Sequence, residues 1–266
     1  MITHNVFPGG KKRVVTFSYD DGQVEDKRLV ELFNKYNVKG SFHLNGNKYI
    51  GMSDAELAEI SNTYKGHEIS CHTLHHGWPA YMISPSVVTE VMEDRKILEK
   101  IAGYPVIGMS YPFGSYDQES IAAMKACGIV YSRTVNNTKN FHMPKDFMEW
   151  HPTCHHRDAM ECCKTFINQL EFSWPGPMLY IWGHSYEFRT EEDWTYMEEV
   201  VSSLAEHSDK IWFATNIEIY NYIEAQKRLR VNVDETVFYN PTDVTLWVEK
   251  NREEIIKIGP GETLKL

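Results

Sequence analysis

The chain has 266 residues, of which 42% are hydrophobic and 24% charged, and it carries a formal charge of −10 at pH 7. That length suffices to bury a core without staples, as one α/β barrel or as a domain with a small appendage. Strong acidity with no basic cluster disfavours a nucleic-acid or anionic-membrane partner, and no run approaches the roughly 18 apolar residues of a membrane span.

Short β-rich runs alternate with helical stretches along most of the chain. Val14–Tyr19 predicts a strand, Lys27–Tyr36 a helix with Leu29, Phe33 and Tyr36 on one face, and Lys39–Leu44 the next strand. Ser53 and Glu56 form a capping box that opens a helix reaching about Thr63, and Glu68–His72 predicts a third strand. Ser84 followed by Pro85 marks an N-cap and first-turn proline for a helix that Gly103 stops. Val106–Tyr111 is a strand, Asp117 caps a helix to Cys127, and Ile129–Val135 is another strand.

Residues 136–158 are less regular, with Met148–Thr153 as a candidate strand. The alternation resumes with a helix near 160–171, a strand at Met178–Gly183, a helix near 192–205, a last strand at Ile211–Thr215 and a helix to about Arg228. Thr236–Tyr239, Val244–Val248, Ile255–Ile258 and Thr263–Leu266, separated by Asn, Pro and Gly turns, predict a small antiparallel appendage.

Seven or eight strands, each followed by a helix, imply a parallel sheet covered on both faces. An open doubly wound sheet would carry a glycine-rich first turn, whereas here the first strand ends in Asp20-Asp21-Gly22. The expected fold is therefore a closed or partly closed (β/α) barrel over residues 1–230 with a β-rich appendage at 231–266, a packing or oligomerisation element that makes a homo-oligomer an open expectation.

Cys71, Cys127, Cys154, Cys162 and Cys163 form an odd set with no CxxC spacing, which suits reduced thiols. The N-terminal sequence lacks the apolar run and small-residue cleavage site of a signal peptide, so a cytoplasmic location is expected.

Catalytic groups of a parallel barrel sit where strands end, and three such places carry chemistry. Adjacent carboxylates at Asp20 and Asp21 are costly to bury without a compensating cation; as an exposed turn they would simply cap the next helix. A turn at Gly22 can bring both into one site. His72-Thr73-Leu74-His75-His76 follows the third strand, and His72 with His76 can converge on one ion if the segment turns helically. One carboxylate and two imidazoles leave coordination positions open for water and substrate, and the second carboxylate is then free to act as a base. Leu179–Gly183 is an apolar run that ends in His184, which is either a hydrogen-bonded structural residue or a catalytic one.

These segments resemble the polysaccharide deacetylases of carbohydrate esterase family four over about residues 12–220, which implies a distorted (β/α) barrel. Phe17-Ser18-Tyr19-Asp20-Asp21-Gly22 is similar to the family's first motif, which implies Asp20 as base and Asp21 as metal ligand. His72–His76 resembles its H-[ST]-x-x-H motif, implying His72 and His76 as ligands and leaving His75 out. The run ending in His184 resembles the motif that holds the general acid. The resemblance implies removal of acetyl groups from a carbohydrate, with one divalent ion, zinc first and Co2+, Mn2+, Ni2+ or Fe2+ as alternatives. It also implies substrate contacts at Tyr111, Pro112 and Phe113, with the Phe113 main-chain N–H holding the oxyanion.

Two positions depart from the family. Ser110-Tyr111-Pro112-Phe113 has serine where the third motif carries the arginine that pairs with the catalytic aspartate, and Arg133 and Arg157 are candidates to replace it. The aspartate behind the acid histidine has no clear match, and residues 150–156 are the place to seek it. Rival expectations are a cyclic-amide or imide hydrolase on the same barrel, a non-haem iron oxygenase, which the alternating strands and helices disfavour, and a catalytically silent carbohydrate-binding protein.

Overall fold

The structure, a computed structural model, describes residues 1–4, 6–171 and 176–266. The short N-terminal strand β1 (Ile2–Thr3) lies outside the barrel. The barrel is made of β2 (Arg13–Asp20), β3 (Gly40–Leu44), β4 (Glu68–Cys71), β5 (Gly108–Ser110), β6 (Tyr131–Arg133), β7 (Cys154–His155), β8 (Met178–Gly183) and β9 (Ile211–Phe213). All pair in parallel, in the order β6-β5-β4-β3-β2-β8-β7, with β9 on β2. Every residue of β2 is buried, as expected of a central strand covered on both faces.

Strand β8 pairs with Val14–Tyr19 along one edge of β2. The opposite edge is therefore shared, with β9 on Arg13–Val15 and β3 on Phe17–Asp20. The circuit closes through residues 150–155. Trp150 bridges Arg133 in parallel and Thr153 N–H donates to the Tyr180 carbonyl at 2.8 Å, so one segment spans from β6 to β8.

Helices α1 (Asp26–Lys35), α2 (Asp54–Thr63), α3 (Ser84–Ala102), α4 (Gln118–Ala126), α5 (Ala159–Asn168), α6 (Glu191–Ala205) and α7 (Asn216–Lys227) follow their strands. The main core lies between strands and helices, where Phe17, Tyr19, Phe33 and Phe42 pack with Val87, Leu98, Met197 and Leu204. The capping boxes at Ser53/Glu56 and Asp117/Ser120 form, and Gly103 ends α3 in the left-handed region at φ 74.

Several expectations are corrected. Ile83, not Ser84, is the N-cap of α3, because the Ser84 hydroxyl donates instead to Glu119 at 2.5 Å. Met148–Thr153 is not a strand; a 3-10 turn at Phe147–Glu149 precedes β7, and no α-helix separates β6 from β7. The helix expected to reach 171 ends at Asn168.

The C-terminal region contains β10 (Arg230–Val231), β11 (Val237–Tyr239), β12 (Leu246–Lys250), β13 (Glu254–Ile258) and β14 (Thr263–Lys265) in two antiparallel sheets, β10-β11-β14 and β1-β12-β13. Strand β10 was not anticipated, and β1 stitches the N-terminus into this region through Ile2↔Lys250. Phe238, Val248, Ile256 and Ile258 form a small core there, while Leu246 packs with Phe7 and Tyr222 against the barrel.

All five cysteines are buried free thiols. Among the described residues no helix is long and apolar enough to cross a membrane.

Candidate active site at the mouth of the barrel

Because the strands run parallel, their C-terminal ends share one rim. Asp20, Ser110, Arg133 and His155 are the last residues of β2, β5, β6 and β7, while Asp21, His72 and His184 directly follow β2, β4 and β8. The expected residues converge because of this topology, despite lying 164 positions apart at the extremes, from Asp20 to His184.

Asp21 turns out of the strand at φ 77 and Gly22 follows at φ 60. A side chain at Gly22 would meet the Tyr49 hydroxyl at 2.8 Å and Leu44 Cδ2 at 2.9 Å, so this turn requires glycine. The turn separates the two carboxylates. Asp20 is buried and Asp21 is 16% exposed along its side chain. Lys48 Nζ donates to the Asp21 carbonyl at 2.5 Å and fixes the turn.

Asp21 Oδ1 lies 3.6 Å from His72 Nε2 and 3.4 Å from His76 Nε2. The convergence does not come from a helical turn, as expected, but from an irregular one with Thr73 at φ 61 and His76 at φ 54. Such left-handed conformations in non-glycine residues are strained and cluster at functional sites. His75 turns away, its Nδ1 pairing with Glu90 at 2.8 Å.

The His72 Nδ1 lies 3.0 Å from the Ser110 carbonyl, which can only accept, so Nδ1 carries the hydrogen and Nε2 faces Asp21 with its lone pair. Burial lowers the His72 pKa to about 4 and keeps the ring neutral. From α3, Asp94 accepts the His72 main-chain N–H at 3.1 Å. Bonds of about 2.1 Å at tetrahedral angles place ligand atoms roughly 3.4 Å apart. Asp21 Oδ1 already stands near that spacing from both imidazoles, and all three donor atoms lie within 4.8 Å of one another, so the set fits one divalent cation.

Asp20 has different partners. Ser110 Oγ donates to its Oδ1 at 2.9 Å and Arg133 Nη2 donates to its Oδ2. Burial alone would raise the Asp20 carboxyl, but Arg133 foremost, then His72, His43 and His184, hold it well below the usual carboxylate range. Arg133 thus fills the role of the missing third-motif arginine. Arg157 does not; it sits 3.2 Å from Glu187.

His184 Nε2 stands 4.0 Å from Asp20 Oδ2, and its Nδ1 pairs with Glu187 Oε1 at 3.2 Å. The carboxylate behind this histidine is therefore Glu187, three residues downstream, and not a residue of 150–156. Burial lowers the His184 pKa, but Glu187, Asp20 and Asp21 outweigh it, and the net shift is upward from 6.5. Burial likewise pushes Glu187 up, yet His155, His156 and His184 more than reverse it. Sequence inspection missed Glu187, although its i+3 spacing from His184 was a usable signal. It also missed His43, buried beside Asp20 as its register partner.

The three expected substrate contacts divide. Tyr111 is fully buried, stacked on Tyr116 with its hydroxyl donating to the Met148 carbonyl at 2.8 Å, so its ring offers a substrate no surface. Pro112 is buried in the turn that follows. Phe113, held at φ 58, is 53% exposed, packs edge-on to His76 with ring centroids 4.5 Å apart, and stacks on Trp78 at 4.3 Å. Trp78 is itself half exposed, so these two rings form an apolar ledge beside the histidines.

Residues 8–132 match the profile of a family described as polysaccharide deacetylase. No curated protein matches the chain by sequence. Among solved structures, a Mycobacterium smegmatis protein described as a polysaccharide deacetylase superposes with a TM-score of 0.63 at 16% identity, over 85% of this chain and 96% of its own. A family 4 acetyl xylan esterase from Clostridium thermocellum, in complex with cobalt, gives 0.52 at 19%, over 79% and 91%. A family 4 pseudoenzyme from Bacillus anthracis gives 0.52 at 14%, over 77% of this chain and 64% of its own. These likenesses concern the fold. The family match spans residues 8–132, a little under half of the chain, so over that stretch the sequence is similar to the polysaccharide deacetylases, as are the motifs at the strand ends.

Proposed function

We propose that the protein is a metal-dependent hydrolase that removes N- or O-linked acetyl groups from a carbohydrate. The observation carrying this assignment is the division of labour between neighbouring carboxylates. Asp21 stands 3.4 and 3.6 Å from two imidazole Nε2 atoms, while Asp20 is engaged by Arg133 and Ser110. Asp21, His72 and His76 would hold one divalent cation, with zinc favoured by the donor set and Co2+, Mn2+, Ni2+ or Fe2+ as alternatives. When bound, such an ion supplies Lewis acidity toward the acetyl carbonyl and lowers the pKa of water.

The chain's own groups do the rest. Asp20, ionised and held by Arg133 and Ser110, accepts the proton of the attacking water. The developing oxyanion, by family analogy, receives the Phe113 main-chain N–H. His184, protonated and oriented by Glu187, donates to the departing amine or alcohol, so no covalent enzyme intermediate is needed. The Phe113–Trp78 ledge offers an apolar face on which a sugar ring can stack. The name of the Clostridium thermocellum neighbour, an acetyl xylan esterase, supports an acetylated polysaccharide as the substrate class.

The cyclic-amide alternative drew its support from the absent arginine, a role that Arg133 now takes. Residues 1–230 would carry the chemistry, and residues 231–266 would serve packing. Because one structural neighbour is a pseudoenzyme, the deciding experiment is acetate release from a panel of N- and O-acetylated oligosaccharides, with bound metal quantified. Release from at least one sugar supports the assignment. Binding of such sugars without any release would make the protein a silent lectin-like relative.

A further inference from the structure

Behind the acid histidine lies a second cluster that the proposed reaction leaves half used. Glu187 spends Oε1 on His184, but its Oε2 is surrounded by His155 Nε2 at 3.2 Å, His156 Nε2 at 3.1 Å and Arg157 Nη2 at 3.2 Å. None of these three nitrogens meets that buried oxygen with hydrogen-bond alignment, and His156 Nδ1 is also a buried atom without a protein partner. His155, His156 and Glu187 each place one ligand atom within 4.8 Å of the other two.

Bonds of about 2.1 Å at angles between octahedral and tetrahedral separate ligand atoms by roughly 3.0 to 3.4 Å. The 3.1 and 3.2 Å separations fall inside that interval. A buried carboxylate oxygen this close to two imidazole Nε2 atoms, with no aligned hydrogen bond to either, is a place where a cation would supply the missing partner.

We infer that His155, His156 and Glu187 form a second divalent-cation site, distinct from the Asp21–His72–His76 set. Two imidazoles and one carboxylate select a borderline ion such as Zn2+, Co2+, Ni2+ or Fe2+ over Mg2+ or Ca2+. Strand geometry builds the site. His155 ends β7, while Gly183, the last residue of β8, would place a Cβ 2.0 Å from His156 Nδ1, so only glycine lets that ring sit against the strand.

Two contacts must yield on loading. The Arg157 side chain, 68% exposed, swings into solvent, and the 3.4 Å contact from Arg157 N–H to His155 Nδ1 opens as that ring changes tautomer. The two ions would not share a ligand, because the two sets have no residue in common.

The test is a Co2+ titration of the chelator-stripped full chain, read by metal content and by visible ligand-field absorption. Two equivalents are expected for wild type, and one each for His155→Ala/His156→Ala and for His72→Ala/His76→Ala. His155→Ala alone guards against collapse of the double variant. It should weaken one site by more than about a hundredfold, since losing an outer-shell partner already costs roughly 10- to 100-fold. A single equivalent in wild type that His72→Ala/His76→Ala abolishes overturns the second site and leaves the first standing. A single equivalent that survives that change and is lost in His155→Ala/His156→Ala keeps the second site and removes the first.

Discussion

Ser110 and Arg133 are register partners on adjacent parallel strands, and both side chains close on the carboxylate of Asp20. An arginine expected on the fifth strand has in effect moved one strand sideways, and the serine left in its place became a second hydrogen-bond donor. The ion pair is wholly buried, and the guanidinium also lies 4.5 Å from the centroid of the Trp182 ring.

Removing one partner of such a pair leaves an uncompensated buried charge. Arg133→Met should lower unfolding free energy by about 3–5 kcal/mol at neutral pH, measured by denaturant titration. The sign of the pH effect follows from the depressed Asp20 pKa. The stabilisation is present above the ordinary carboxylate pKa and is lost as pH falls through the folded-state value. The acid limb of the stability curve should therefore be shallower in Arg133→Met. A variant as stable as wild type would mean that the pair contributes nothing.

Asp20→Asn retains the shape of the proposed base's side chain but not its charge. Turnover should drop by about 10²- to 10⁴-fold while metal content stays at the wild-type value. Retained activity would remove Asp20 as the proton acceptor.

His184 must be protonated to serve as the acid. Its pKa is raised from 6.5 despite burial, with the Glu187 hydrogen bond as the largest upward cause. The rate on amide substrates should accordingly fall on the alkaline side as His184 loses its proton. Glu187→Gln should shift that limb to lower pH, with little effect on activated esters, whose leaving groups need no proton. An unmoved pH–rate profile would reduce Glu187 to a structural role.

Gly183→Ala sets a Cβ 2.0 Å from the buried His156 ring. Displacing that ring should cost about 1–3 kcal/mol, the usual range for overpacking, and appear as a lower melting temperature. An unchanged melting temperature would show that the ring moves freely.

Much of this site was legible in the sequence because the chemistry sits at strand ends, where local pattern and topology coincide. Asp20, Asp21, His72, His76 and His184 could each be placed from a short segment. Arg133 could not, since its partner is set by sheet register rather than by neighbours in the chain; a charged residue closing a buried strand was the only local hint. Tyr111 misled for the opposite reason. It lies in a motif that faces the cleft, yet its ring turns into the core beneath Tyr116. The stretch at 136–158 resisted because the barrel is completed there by one isolated bridge at Trp150 and by the two-residue strand β7 rather than by a continuous strand. The candidate strand Met148–Thr153 covered Trp150, but only its bridge to Arg133 forms.

The central claim is that catalysis depends on an ion held by Asp21, His72 and His76. Acetate release from an acetylated oligosaccharide that wild type cleaves, measured after chelation and again after Zn2+ or Co2+ is returned, tests it directly. Stripped wild type should be inactive and regain its rate with added metal, while His72→Ala should not recover. Full activity in the stripped protein, or metal-restored activity in His72→Ala, would contradict it.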